Sequence, residues 1–221
     1  MEMIFIILAL LVVSIAQLIL RITYSKYKKI EVDSNLTGKD VAEKILSKYD
    51  LDDINVTRVT GELSDNYNNR RKLISLSTDI YDDNTIAACA VAAHECGHAI
   101  QYKEGYVPIK IRNILVPFVN IGNTLGYIVV VISLITSITK LFIIGIILVS
   151  FALLFELITL PCEFDASKRA NKILLEMGLV TEDEQDGTKA MLRAAAFTYV
   201  AGLFSSILQI IRLIYIFTDR D

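Results

Sequence analysis

Four apolar runs set the terms on which this chain can fold. Met1–Leu20, Ile114–Thr139, Leu141–Leu160 and Ala194–Phe217 are each long enough to cross the ~30 Å hydrocarbon layer of a bilayer as a helix. Lipid offers no water to backbone N–H and C=O groups, so a spanning segment must satisfy them internally. The composition agrees. Of 221 residues, 53% are hydrophobic and 21% charged, and the apolar excess is gathered in blocks. The expected fold class is a mainly α membrane protein with about four transmembrane helices. A net charge of −3 and the lack of any basic tract exclude nucleic acid as a partner. Cys89, Cys96 and Cys162 show no paired spacing and read as small, buried, reduced residues.

Residues 1–20 have neither the basic start nor the small-residue cleavage site of a secretory leader, so they read as a transmembrane signal anchor. Arg21, Lys26, Lys28 and Lys29 follow directly, which places that end in the cytoplasm and Met1 outside. The two middle runs meet at Lys140 with room only for a tight turn, giving a transmembrane hairpin over 114–160 with Pro161 marking its exit. The last run, 194–217, contains Arg212. It reads as a fourth span whose arginine reaches an interface, or as a helix lying in the interface.

Between these runs lie polar segments that suit a small α+β domain at 30–112 and a helix at 161–193. Thr37–Tyr49 begins on a capping threonine, has Asp40 in its first turn and carries Val41, Ile45 and Leu46 as an apolar stripe. Asn55–Thr60 and Lys72–Ser77 are strand-like and are separated by the Asp/Asn-rich loop Gly61–Arg71. Leu73, Ile74, Ser75 and Leu76 alternate as a half-buried edge strand would. Such a strand either binds an extended substrate by strand addition or simply covers the core. Lys103–Arg112 reads as a polar linker, and Glu182–Asp186 as an acidic loop.

The chemistry is concentrated in Ala87–Tyr102, an alanine-rich helical stretch containing His94, Glu95, Cys96, Gly97 and His98. At about 100° per residue, His94 and His98 stand one turn apart on one face, and Glu95 lies at its edge. This is H-E-x-x-H: two zinc ligands and a general base. Zinc lowers the pKa of its water to about 7 and polarises a carbonyl, while the carboxylate takes the proton. The chain has only two histidines and both fall in the motif. Cys96 points about 200° away from His94 and is excluded as a ligand.

A third ligand must then be a carboxylate or Cys162. After Pro161, the residues Ala166, Ala170, Ile173, Leu174 and Met177 form an apolar stripe, and Glu163 falls on it. Asp165 lies instead with Lys168, Arg169 and Lys172, where it can pair with Arg169 at i+4. Glu156, seven residues before Glu163, is the rival ligand if the helix runs through Pro161. Because it sits within an apolar span, its expected role is to support the site from behind or to stay a neutral acid near the interface. Tyr199, Tyr102 and Arg169 are candidates for stabilising an oxyanion.

The segments KLISLS, AAHECGHAIQ and PCEFDASKRA, set around a hydrophobic hairpin, resemble the YugP-like zinc-dependent membrane metallopeptidases, distant relatives of the HtpX proteases. The resemblance covers nearly the whole chain. It implies a zincin-like catalytic domain around the HExxH helix, with Zn2+ on His94, His98 and Glu163 (the gluzincin pattern) and Glu95 as base. One position departs: the HtpX pattern has an aspartate four residues after the ligand glutamate, where this chain has Ser167, and Asp165 is placed to compensate. The expected function is a multi-pass zinc metalloendopeptidase of a bacterial plasma membrane. Its active site faces the cytoplasm, and its partners are the lipid bilayer and a membrane-associated polypeptide substrate. Two other classes remain: a non-catalytic zinc-binding scaffold, disfavoured because structural zinc takes four protein ligands, and a zinc hydrolase of lipids or other amides. No motif encodes a cleavage specificity or an oligomeric state.

Overall fold

The computed structural model describes residues 2–218. Met1, where the anchor begins, lies outside the described residues. The chain is mainly helical, with a small sheet. In order it forms α1 (Glu2–Tyr27), α2 (Gly38–Lys48), β1 (Asn55–Val59), β2 (Asn66–Asn68), β3 (Leu73–Ser77), α3 (Thr78–Asp82), α4 (Ile86–Glu104), α5 (Val107–Thr136), α6 (Thr139–Glu176) and α7 (Glu182–Thr218). Helices α1, α5, α6 and α7 are each long and apolar enough to cross a membrane. Two compact units share these elements. One holds α1 up to Gln17, Val107–Pro161 and α7 from Phe197; the other holds Leu18–Tyr106 and Cys162–Ala196.

Within the first unit, Val130, Phe142, Val149 and Leu213 form a small core, and Phe142 stacks on Phe217 at 4.0 Å between ring centres. Most of its large apolar side chains face outward instead, among them Ile4, Leu10, Ile114, Phe118, Ile143 and Ile147. So broad an apolar surface is a liability in water and the expected coat of a helix in lipid.

The second unit is built on α4. Its alanines at 87, 88, 90, 92, 93 and 99 are at most 1% exposed, and small side chains all round let neighbours approach from every side. Thr85 caps its start by accepting from Ala88 N–H, and the extended segment 30–32 binds the same turn through Ile86 N–H to Ile30 O and Val32 N–H to Asn84 O. Helix α2 packs alongside. Its start is closed by a reciprocal Thr37–Asp40 capping box, and Val41, Ala42 and Ile45 are wholly buried.

Several boundaries differ from those read off the sequence. Strand β3 is not an edge. The sheet order is β1-β3-β2, with β1 parallel to β3 and β2 antiparallel, so Leu73, Ile74 and Ser75 are paired on both sides and Leu76 is paired to Arg58. The covering strand, Asn-Tyr-Asn, comes from the polar loop and carries none of the usual strand residues except Tyr67. The linker with Pro108 is the first turn of α5, where a proline's missing N–H costs nothing. The turn between α5 and α6 falls at Ser137, whose φ is +56°, and Lys140 already lies in α6. The hairpin segment of the first unit does end at Pro161, but the helix does not: Pro161 lies inside α6, which is 38 residues long. Glu182–Asp186 is no loop but the acidic first turn of α7, favoured there by the helix dipole. Gly178 does close α6, with φ +62°.

Candidate metal centre

Gly97, in the middle of the motif, decides how closely α4 meets α6. A Cβ there would sit 2.7 Å from the Ala166 carbonyl oxygen, so only glycine allows this approach. Ala166 is flanked in sequence by Glu163, three residues before, and Ser167, one after. At this register the stripe of α6 (Ala166, Ala170, Ile173 and Leu174, all at most 4% exposed) is buried, and Glu163 comes with it at 1%.

Glu163 Oε2 lies 3.2 Å from His94 Nε2 and 3.5 Å from His98 Nε2. The two rings stand 4.7 Å apart at 81°, edge to face, so both present the same nitrogen to the carboxylate. The three ligand atoms lie within 4.8 Å of one another, and this is the group among the described residues that could hold a metal ion. Two imidazoles and one carboxylate are a donor set suited to zinc, and three ligands leave a fourth position open.

Electrostatics points the same way. Burial alone would raise the Glu163 carboxyl, but hydrogen bonds and charge from the two histidines hold it well below the usual carboxylate range. Burial disfavours a charged His98, yet Glu163, Glu95 and Gln101 hold its pKa above the ordinary value. The pocket is therefore arranged to gather positive charge against one buried carboxylate. Glu95, 7% exposed, is pushed up by burial; His94 and His98 offset this, while Glu163 and Asp65 push further up.

The outer nitrogens of both rings are also engaged. His94 Nδ1 is 3.2 Å from Ser167 Oγ, so the serine at the departing position serves this ring itself. His98 Nδ1 is 3.0 Å from Gln101 Oε1. Neither role was read from the sequence, although Gln101 sits one helical turn past His98 on its face. Asp65 was missed as well. It leaves the polar loop to accept from Ser77 N–H (2.7 Å) and Ser77 Oγ–H (3.1 Å), and burial raises its carboxyl despite those bonds.

The other candidates are placed as follows. Asp165 accepts from Arg169 at 2.6 Å, the expected i+4 pair, and Arg169 is further tied to Glu104 at 2.6 Å. Tyr102 packs edge-on against Tyr67 of β2 at 5.6 Å. Glu156 and Tyr199 belong to the first unit, where Glu156 lines a cavity of about 300 Å³ with Tyr127, Ser206 and Gln209.

Residues 2–218 match a family described as "Putative neutral zinc metallopeptidase". The chain belongs to that family. It is also 37% identical, over 207 residues, to the "Putative membrane protease YugP" of Bacillus subtilis (strain 168), covering 93% of this chain and 92% of that protein. No solved structure matches it. For a family of zinc peptidases, the His94–His98–Glu163 group is a cluster of the right chemistry to hold the ion.

Proposed function

We propose that this chain is a membrane-embedded, gluzincin-type zinc endopeptidase whose HExxH helix α4 and helix α6 together form the catalytic centre of a zincin-like domain. The observation that carries it is the convergence of His94 Nε2, His98 Nε2 and Glu163 Oε2 beside a buried Glu95. His94, His98 and Glu163 would hold the ion. Bound zinc would polarise the scissile carbonyl and acidify water. Glu95 takes a proton from the attacking water and passes it to the leaving amine. Burial raises its carboxyl above the ordinary range, the direction that helps a group both accept and return a proton. Ser167 and Gln101 hold the rings so that both Nε2 atoms stay aimed at the carboxylate.

With β3 enclosed, an extended substrate would add to the outer edge of β2, whose Tyr67 stands against Tyr102 on α4. The substrate would be a membrane-associated polypeptide, and the centre would face the cytoplasm of a bacterial plasma membrane. Arg169 is spoken for by two carboxylates, which argues against it as an oxyanion donor.

The test is hydrolysis of a quenched peptide by the full chain in detergent or lipid. Activity should vanish on chelation and return with zinc. Zinc-loaded Glu95→Gln keeps the side-chain size but cannot accept the proton, and should be at least about 100-fold slower. Near-normal turnover by that variant with its metal bound would remove Glu95 from the mechanism.

A further inference from the structure

We infer that Gln101 is a positioning residue for the metal, the inner end of a hydrogen-bonded chain, Glu104–Arg169–Asp165–Gln101–His98, that fixes which nitrogen of His98 is free to bind. Gln101 is fully buried, and every polar atom of its side chain is used. Its amide nitrogen lies 2.8 Å from the Cys162 carbonyl oxygen and 2.8 Å from Asp165 Oδ2. Both neighbours only accept, so the amide cannot be turned round: both its N–H groups are committed there. The amide oxygen therefore faces His98 Nδ1 at 3.0 Å, and an amide oxygen only accepts. Nδ1 must carry a hydrogen. In the neutral ring this leaves the lone pair on Nε2, the atom aimed at Glu163.

Orientation is imposed from outside the ring. Asp165 Oδ2 also accepts from Arg169 Nε at 2.6 Å, and the same guanidinium donates to Glu104 Oε2 at 2.6 Å. Glu104 is the last residue of α4, so the chain leaves α4 at Gln101, passes through α6 and returns one turn later. It clamps the C-terminal turn of α4 to the helix bearing Glu163. This reading also gives Asp165 a part that its part-buried pairing with Arg169 alone would not require.

The inference rests on the proposed zinc centre, and zinc affinity tests it separately from catalysis. Affinity is measured on the full chain by competition with a chromophoric chelator, and folding by the melting of the metal-free protein. Gln101→Glu keeps the shape but turns an oxygen towards Cys162 O and Asp165, and should weaken zinc about 10- to 100-fold. Adding Asp165→Asn supplies an amide N–H to that carboxylate and should recover part of the loss, which a merely space-filling role for Gln101 would not do. Should Gln101→Glu fail to fold, Asp165→Ala alone carries the test: it frees one Gln101 N–H and should weaken zinc by more than about twofold. Gln101→Glu with wild-type affinity, a loss unrelieved by the second substitution, or unchanged affinity in Asp165→Ala would each overturn the inference. Weakened zinc in these variants, alongside a zinc-loaded wild type that cleaves no peptide, would instead strike the peptidase proposal and leave this one standing.

Discussion

Glu163 is a carboxylate 1% exposed, between two histidines and on the apolar stripe of a helix. Removing an ionised carboxylate from water costs several kcal/mol unless a cation meets it. Two imidazoles are a poor match for that cost, and a divalent ion held jointly with them is a good one. Asp165, two residues on, is met by Arg169 and needs no metal. Glu163→Ala should therefore purify without zinc and without activity. Asp165→Ala should still carry one zinc per chain when saturated, at the lower affinity argued above. Elemental analysis of the purified proteins decides between them, and one retained zinc per chain in Glu163→Ala would remove Glu163 from the ligand set. Much of this residue-level picture was legible early. The HExxH spacing gives the face, and the stripe gives Glu163. Gln101 and Ser167 were visible as letters but not as partners, because their roles exist only once α6 lies against α4.

At the scale of elements, the approach of α4 to α6 turns on a hydrogen atom at Gly97. Helix propensity alone makes alanine better than glycine by about 1 kcal/mol within a helix. Here the added Cβ would fall 2.7 Å from Ala166 O and 3.2 Å from Ala166 Cα, backbone atoms that cannot swing aside. Overpacking of this kind costs about 1–3 kcal/mol, so the steric cost should exceed the propensity gain. Gly97→Ala is expected to melt lower in the metal-free state and to bind zinc more weakly, since the helices must part where their ligands meet. A higher melting temperature would show that the contact is soft. Elements announced by local chemistry were readable in the same way, such as α2 with its Thr37–Asp40 box and the Gly178 stop of α6. Those set by tertiary context were not. β2 is a three-residue polar strand inside an Asp/Asn-rich loop, and its pairing to β3 rests on register, not composition. Pro161 is a breaker by local rule, yet α6 passes through it; prolines are tolerated in membrane-crossing helices where neighbours satisfy the freed backbone groups.

For the whole molecule the open quantity is which side of the membrane the centre faces. If α1, the α5–α6 hairpin and α7 all cross, connectivity alone returns residues 28–106 and 162–193 to one side. Basic residues mark that side. Lys26, Lys28 and Lys29 follow the apolar part of α1; Lys103, Lys110 and Arg112 precede that of α5; Lys168, Arg169 and Lys172 follow that of α6. Lysine and arginine near span ends are retained in the cytoplasm, so the expected side is cytoplasmic. The three native cysteines are buried, which leaves a low background for a thiol probe. Arg70 is exposed, just beyond β2, and Arg70→Cys should be tolerated there. In intact cells this cysteine should resist a membrane-impermeant maleimide, and it should react once the membrane is opened. Labelling of intact cells would put the centre outside, and with it the substrates available to the enzyme.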